Sequence, residues 1–275
     1  MARAGGAQPD WYCSRVPRFK LTVEYAGTRY SGWQKQRNAR TVQGELDRAV
    51  VEAFGEVLVD SQGSGRTDAG VHALAQVAHV DVTRAPSPEQ LRRRINDFLP
   101  ADIHVLDARP VPRTFHARHS AVGRSYLYQI SRRRSAFAKP FVWWVKDDLD
   151  LHAMREAADR FVGMHDFRAF SDDDPGEKST RVLLDEVRVE EFGALVVVRV
   201  AGSHFLWKMV RRMVGVLAAV GAGDLTPDDV AALLIEGQGE VVATLTAPAA
   251  GLFLECVCYE GETVPDGVTP AVTVR

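Results

Sequence analysis

A glycine-rich loop at residues 63–72, GSGRTDAGVH, offers the first side chain that could do chemistry, the carboxylate of Asp68. Its three glycines allow the backbone to turn tightly and to approach a ligand closely. The spacing of Gly63, Gly65 and Gly70 matches neither GxGxxG nor a phosphate loop ending in Gly-Lys-Ser/Thr. Taken alone, the loop favours a turn between two strands, in which Asp68 is an ordinary turn residue.

A second candidate is the segment at 204–220, HFLWKMVRRMVGVLAAV, which has an apolar stripe at helical spacing. Lys208, Arg211 and Arg212 share its other side. Cations in the first turns of a helix oppose its macrodipole, at a cost of about 0.3 to 1 kcal/mol each. Such a departure from local preference indicates a possible site. Binding of these cations to surface acids is an equally weighted alternative.

The residues for other kinds of chemistry are missing from the sequence. The histidines form no HExxH, and His116 and His119 stand in a basic segment without nearby acids, so no metal site is expected. No GxSxG elbow is present, and Cys13 lies in the N-terminal tail. The scattered cysteines offer neither a disulfide framework nor a paired CxxC zinc site. One carboxylate with an arginine partner remains.

The charge distribution favours RNA more than the net charge does. The formal charge of -2 counts against a nucleic-acid partner. No acidic residue, however, lies between Asp107 and Asp147, where aromatic residues alternate with cations, as unstacked bases require. Arginine placed in loops for solubility is the alternative explanation. The cations are Arg109, Arg113, Arg118, Arg124, Arg132, Arg133, Arg134, Lys139 and Lys146.

Hydropathy patterns predict two α+β lobes with largely antiparallel sheets and a cleft where they meet. In the first lobe, strands at 19–25, 76–82 and 103–111 alternate with helices at 41–55, capped by Thr41, and 87–99. In the second, strands near 124–131, 181–190, 194–201 and 252–259 accompany helices at 150–162, 205–220 and 227–236. The predicted divisions are a mobile tail at 1–17, an N-terminal lobe at 18–115 and a C-terminal lobe at 116–275.

Targeting signals are not apparent. No stretch approaches the roughly 20 apolar residues that span a bilayer, and the N-terminus, MARAGGAQPDWYCSR, lacks the apolar core of a signal peptide. A cytoplasmic protein without membrane contact is therefore expected.

The loop sequence GSGRTDAGVHA resembles the GRTDAGVH signature of the tRNA pseudouridine synthase A family. Further blocks that resemble the family follow in the same order, from Phe19 to Tyr259. They are VEYAGTRYSGWQKQ, ARTVQGELDRAV, FHARHSAVGRSYLYQI, GMHDFRAFS, SHFLWKMVRRMVG and APAAGLFLECVCY.

The resemblance implies two similar α+β lobes flanking a basic central cleft, and a homodimer that binds the anticodon stem-loop of tRNA across both subunits. It implies no metal and no organic cofactor. The implied reaction converts uridine to pseudouridine at positions 38, 39 and 40 of the tRNA. The bond from N1 of the uracil to C1′ breaks, the base turns while held, and C5 bonds to C1′.

The resemblance also assigns roles to residues. Asp68 is the catalytic carboxylate, which either attacks C1′ or abstracts the 2′ proton, and Arg211 is its ion-pair partner. Burial should raise the pKa of Asp68 and a nearby cation should lower it. Arg66 enters the space left by the flipped base, Tyr126 packs against the uracil, and Leu252 closes the pocket.

Tyr128, two residues beyond Tyr126 along the same strand face, is expected in the core. Trp207, Lys208 and Arg212, which stands where the family commonly has asparagine, depart from the family pattern and put substrate contacts in doubt. Two rival functions stay open. One is a module that binds tRNA without chemistry, and the other is a carbohydrate-active enzyme, which would usually need a second carboxylate.

Overall fold

The computed structural model describes residues 16–55, 58–83, 87–177, 179–237 and 239–274, with the strands and helices bounded as follows. The strands are β1 (Arg18–Tyr25), β2 (Leu58–Gly63), β3 (His72–Val82), β4 (Ile103–Val111), β5 (Ala121–Ser131), β6 (Trp143–Trp144), β7 (Gly163–Asp166), β8 (Arg181–Phe192), β9 (Leu195–Gly202) and β10 (Leu252–Tyr259). The helices are α1 (Val42–Phe54), α2 (Pro88–Phe98), α3 (Leu151–Asp159), α4 (Met209–Ala222), α5 (Pro227–Glu236) and α6 (Gly239–Thr244).

These strands form one sheet in the order β4-β1-β3-β10-β5-β9-β8-β7, with β2 paired to β3 and β6 paired to β5. The β3–β10 and β5–β6 pairs are parallel, and the other pairs are antiparallel. The predicted α+β class with a largely antiparallel sheet is therefore confirmed.

Alternation along the strands places apolar side chains against the helices. In β1, Phe19, Leu21 and Val23 are fully buried in a core cluster that also contains side chains of α1 and α2. A second cluster joins β8 and β9 to α3, α4 and α5. The last strand, β10, contributes to both clusters and separates β3 from β5, so residues near the C-terminus join the two halves of the sheet.

The division into lobes at 18–115 and 116–275 stays a prediction, and its boundary falls in the link between β4 and β5. Residues 1–15 of the predicted mobile tail lie outside the described residues. None of the helices in the described ranges is long and apolar enough to cross a membrane.

Local signals explain where the first helices begin. The Thr41 hydroxyl accepts a hydrogen bond from the Gly44 amide at 3.3 Å, so the predicted cap of α1 is confirmed. Ser87 and Gln90 form a reciprocal capping box at the start of α2.

Other boundaries differ from prediction. The predicted β-α-β-α-β order of the first half is wrong because β2 is an additional strand. The helix predicted at 205–220 begins only at Met209, because Lys208 adopts a left-handed backbone with φ 63°. The helix predicted at 150–162 ends at Asp159.

Candidate active site

The loop that carries Asp68 connects β2 to β3, and its first residues are pinned to β3. The Ser64 amide donates to the Val77 carbonyl at 2.7 Å, and the Ser64 hydroxyl donates to the Gln76 side chain at 2.6 Å. Gln76 in turn donates to the Gly65 carbonyl at 3.2 Å. This part of the loop therefore follows the sheet rather than moving independently.

The residue before Asp68 is held from the other side by the segment that precedes α1. The Trp33 amide donates to the Thr67 carbonyl at 3.1 Å, and the hydroxyls of Tyr25 and Thr67 lie 2.8 Å apart. The chain approaches closely here because Gly32 has φ +88°, and a Cβ on it would lie 2.5 Å from the Thr67 carbonyl oxygen. The backbone beside Asp68 is thus fixed by contacts that depend on glycine.

Downstream of Asp68 the loop closes on itself. The Val71 amide donates to the Asp68 carbonyl at 3.1 Å, and the Gly70 amide donates to the Tyr30 carbonyl at 3.3 Å. Gly70 also has a positive φ of 80°. Asp68 is a turn residue, as its sequence context indicated, but one whose side chain points towards the other half of the molecule.

Arg211 of α4 faces this carboxylate. Its Nη1 lies 3.8 Å from Oδ2 of Asp68, and the side chains of Arg211 and Asp68 are 18% and 29% exposed. The Arg211 Nε donates to the Ala247 carbonyl at 2.7 Å, and the Arg211 carbonyl accepts from the Ala247 amide at 3.1 Å. The arginine is therefore anchored independently of Asp68 and is available to it as a fixed positive charge.

Burial raises the pKa of Asp68 above its ordinary value, and neighbouring groups oppose that shift. Arg211, then Lys208, then a hydrogen bond from the Trp207 side chain stabilise the ionised form, whereas Asp172 disfavours it. The net direction is upwards, so burial outweighs the cations. The Asp68 carboxylate is therefore more basic than an exposed aspartate.

Tyr126 lies beside the same carboxylate on β5. Its ring packs edge-on against Phe205, with centroids 4.9 Å apart, and it contacts both core clusters. Burial raises the pKa of the phenol to about 12; the Asp68 charge adds to the shift and Arg124 opposes it. Tyr126 is therefore a neutral, partly buried aromatic group at the carboxylate.

The structure does not place the other two candidates beside Asp68 in the same way. Arg66 is exposed, and its Nε donates to the Gln34 side chain at 3.2 Å. Leu252 is 6% exposed at the start of β10, opposite Tyr128 of β5, and belongs to the core cluster. Tyr128 is fully buried, as predicted.

The remaining cations of the 204–220 segment bind Asp172. The Lys208 Nζ lies 2.6 Å from one carboxylate oxygen of Asp172, and Arg212, which is almost fully buried, donates to the other. Both sequence-based alternatives thus hold for different residues, since two of the cations bind an acid and Arg211 faces Asp68. The arginine in place of the family's asparagine has a partner of its own.

Two residues near the site were named in the sequence analysis but were given no role there. Trp207 is 51% exposed, its amide donates to Asp173 at 2.9 Å, and Lys208 lies over its ring. Arg124 shares a face of β5 with Tyr126, which was the available signal, because residues two apart on a strand point the same way. In the described ranges, no cluster of three or more His, Cys, Asp or Glu could hold a metal ion.

Comparison with known proteins agrees with these features. A family model described as tRNA pseudouridine synthase matches residues 21–120 and 157–260. Asp68, Arg211 and Leu252 lie inside the matched ranges, and Tyr126 lies between them.

Proteins named tRNA pseudouridine synthase A are similar over most of the chain. That of Nitrobacter hamburgensis is 44% identical over 247 residues, covering 89% of this chain and 100% of the relative. That of Sinorhizobium fredii is 42% identical over 249 residues, covering 89% and 100%. That of Agrobacterium fabrum is 42% identical over 260 residues, covering 93% and 95%. The chain belongs to the tRNA pseudouridine synthase family.

Proposed function

We propose that this protein is an isomerase that converts uridine to pseudouridine at positions 38, 39 and 40 in the anticodon stem-loop of tRNA. The observation that carries the proposal is Asp68, a half-buried carboxylate on a fixed loop with Arg211 at 3.8 Å and the neutral ring of Tyr126 beside it. Similarity to proteins named tRNA pseudouridine synthase A supplies the substrate class.

The reaction needs the ionised form of Asp68. The carboxylate either attacks C1′ of the nucleotide or removes the 2′ proton, and in both routes the N1–C1′ bond breaks with its electrons leaving on the uracil. The uracil then turns and C5 bonds to C1′. In the first route the bond between Asp68 and C1′ breaks at this step, and in the second route the proton held by Asp68 returns to C2′. The proton on C5 is then lost, and N1 gains a proton. The conversion is an isomerisation, so atoms and electrons balance without a co-reactant.

The surrounding residues suit a base that has left its stack. Extrusion from a helix costs a few kcal/mol, which contacts to the flipped base and to the vacated space must offset. Tyr126 offers an aromatic ring beside the carboxylate, and Arg66 is exposed two residues before Asp68. Leu252 is an almost fully buried apolar side chain opposite Tyr128 on the neighbouring strand. We assign these three residues to the substrate.

A glycosidase is less well supported. Such an enzyme usually pairs two carboxylates across the sugar, and Asp172, whose carboxylate contributes to the electrostatics of Asp68, is already bound by Lys208 and Arg212. The pKa of Asp172 is lowered by the Lys208 hydrogen bond and by Arg212, which opposes a role as general acid.

We also propose that the protein is cytoplasmic and that two subunits, each of two lobes, form a homodimer. A mass measurement in solution tests the homodimer.

The substitution Asp68→Asn tests the proposal. We expect pseudouridine formation to fall by roughly 1,000-fold or more, because the amide can neither attack nor take a proton. Binding of tRNA should be kept. Because burial raises the pKa of Asp68, the ionised carboxylate destabilises the fold at neutral pH, so the variant should unfold at the same or a higher temperature.

Asp107→Asn is the matched control, since Asp107 lies on β4 and pairs with the surface residue Arg109. It should leave turnover unchanged. Normal turnover by Asp68→Asn would eliminate the proposed catalytic carboxylate, and wild-type protein that binds tRNA without forming pseudouridine would favour a binding module. Mapping pseudouridine in tRNA from cells with and without the protein tests the substrate: unchanged positions 38 to 40 would contradict it.

A further inference from the structure

The guanidinium of Arg124 is bound by backbone carbonyls instead of an acid. It donates to the carbonyls of Ser203 at 3.0 Å, Arg118 at 3.1 Å, Ser64 at 3.3 Å and Ala121 at 3.4 Å. In the part of the chain that the structure describes, no carboxylate forms an ion pair with it. Burial lowers the pKa of this guanidinium, which nevertheless stays charged.

The acceptors belong to separate segments that meet at the candidate site. Ser64 opens the loop that carries Asp68, and Ser203 opens the segment that leads from β9 to Arg211 on α4. Ser64 and Ser203 are themselves anchored, because the Ser64 amide donates to the Val77 carbonyl of β3 and the Ser203 amide donates to the Leu183 carbonyl at 3.0 Å. Arg124 therefore connects the part of the molecule that positions Asp68 to the part that positions Arg211.

We propose that Arg124 is a positioning residue for uridine isomerisation, holding the Asp68 loop and the Arg211 segment at their working separation. This inference rests on the proposed function. Arg124 acts through backbone carbonyls and does not touch the reacting atoms. Arg124 and Tyr126 are two residues apart on the same face of β5. The same strand therefore orients both the aromatic ring and the guanidinium that joins the two segments.

The shape of the arginine head group is what the four bonds require. Guanidinium presents five N–H donors in a planar fork, whereas a lysine ammonium presents three donors on one atom. The two terminal nitrogens of Arg124 each serve two carbonyls, one pair at Ser203 and Ala121 and the other at Ser64 and Arg118. Lysine keeps the charge but cannot reproduce this division.

Arg124→Lys therefore separates position from charge, with Arg124→Gln removing both. We expect both variants to lose about 100-fold in single-turnover rate, the size of loss that a displacement of about 1 Å produces, while the Kd for tRNA changes by less than about threefold. Millimolar guanidinium should partly restore Arg124→Gln. Arg48→Lys is the control: Arg48 forks between Glu45 and Glu52 on α1 and should tolerate lysine.

A wild-type rate in Arg124→Lys would overturn the proposal and leave only a role for charge. Equal losses in rate and in tRNA binding would overturn it in favour of a binding role. Hydrogen exchange gives a readout independent of activity: both substitutions should increase amide exchange in residues 64–71 and 203–208 together. Unchanged exchange in either segment would refute the proposal that Arg124 holds the two segments together. A wild-type protein that forms no pseudouridine would instead refute the proposed function, whatever the exchange data show.

Discussion

Gly32→Ala tests whether the catalytic loop is held by its contact with the segment before α1. A Cβ on Gly32 would lie 2.5 Å from the Thr67 carbonyl oxygen and 3.2 Å from the carbonyl carbon of Asp68. Since real Cβ atoms essentially never approach closer than 3.0 Å, the backbone next to Asp68 must shift by at least about 0.5 Å. The alanine must also adopt φ +88°, which costs about 1 to 3 kcal/mol for a residue with a side chain.

The displacement of the loop and the backbone strain at residue 32 can be measured separately, the first by reaction rate and the second by stability. A displacement of this order at a reacting group lowers the rate by roughly 10- to 100-fold, given that about 1 Å costs up to 100-fold. We expect that loss in single-turnover pseudouridine formation, with tRNA binding nearly unchanged because Gly32 is not among the residues assigned to the substrate. Chemical denaturation should show a loss of about 1 to 3 kcal/mol in the free energy of unfolding.

Two glycines provide matched controls. Gly55 also has a positive φ, +81°, but a Cβ there would meet nothing within 4 Å, so Gly55→Ala should lose stability without losing rate. Gly65 lies in the catalytic loop itself and also has open space around it, so Gly65→Ala should change neither strongly. A wild-type rate for Gly32→Ala would refute the argument, as would an equal loss of rate for Gly55→Ala.

Two further predictions concern charge. Arg211→Met removes the cation that lies 3.8 Å from Asp68 and should raise the pKa of that carboxylate further, so the acidic limb of the pH–rate profile should move to higher pH. Arg211→Lys keeps the charge and should keep most of the wild-type profile. An acidic limb that does not move in Arg211→Met would contradict the ion pair. The exposed pair Arg133 and Arg134 should contact phosphates, so replacing both with alanine should reduce the slope of log Kd for tRNA against log salt by about 1 to 2. Wild-type binding that did not weaken with salt would argue against phosphate contacts.

Hydropathy alternation located most strands because burial of one face determines both pattern and structure. The bounds of β4 and β10 agree with prediction, as do those of α5. The strand β2 was not predicted because its residues Asp60, Ser61 and Gln62 are polar. Pairing with β3 holds it in place. The Ser61 hydroxyl donates to Asp47 of α1 at 2.5 Å, a tertiary contact that no local pattern reveals.

The start of α4 shows a different limit of sequence patterns. Leu206 and Phe205 extend the apolar stripe of the helix towards the N-terminus, and both pack against the core, but neither is helical. Periodicity reports which side chains are buried. The left-handed backbone at Lys208 sets where the helix begins without changing that pattern. The strained residue also places its side chain on Asp172, next to the site.

Charge at the site could not be read from the whole chain. The net charge of -2 concealed a local balance in which Asp68 and Asp172 face three cations, Lys208, Arg211 and Arg212. Arg124 adds another positive charge, which is bound by backbone carbonyls, and Asp173, which accepts from the Trp207 amide, adds one negative charge. The site thus carries an excess of positive charge although the chain is acidic overall. A polyanionic substrate is drawn by that local excess, because screening makes charges beyond about 10 Å count for little.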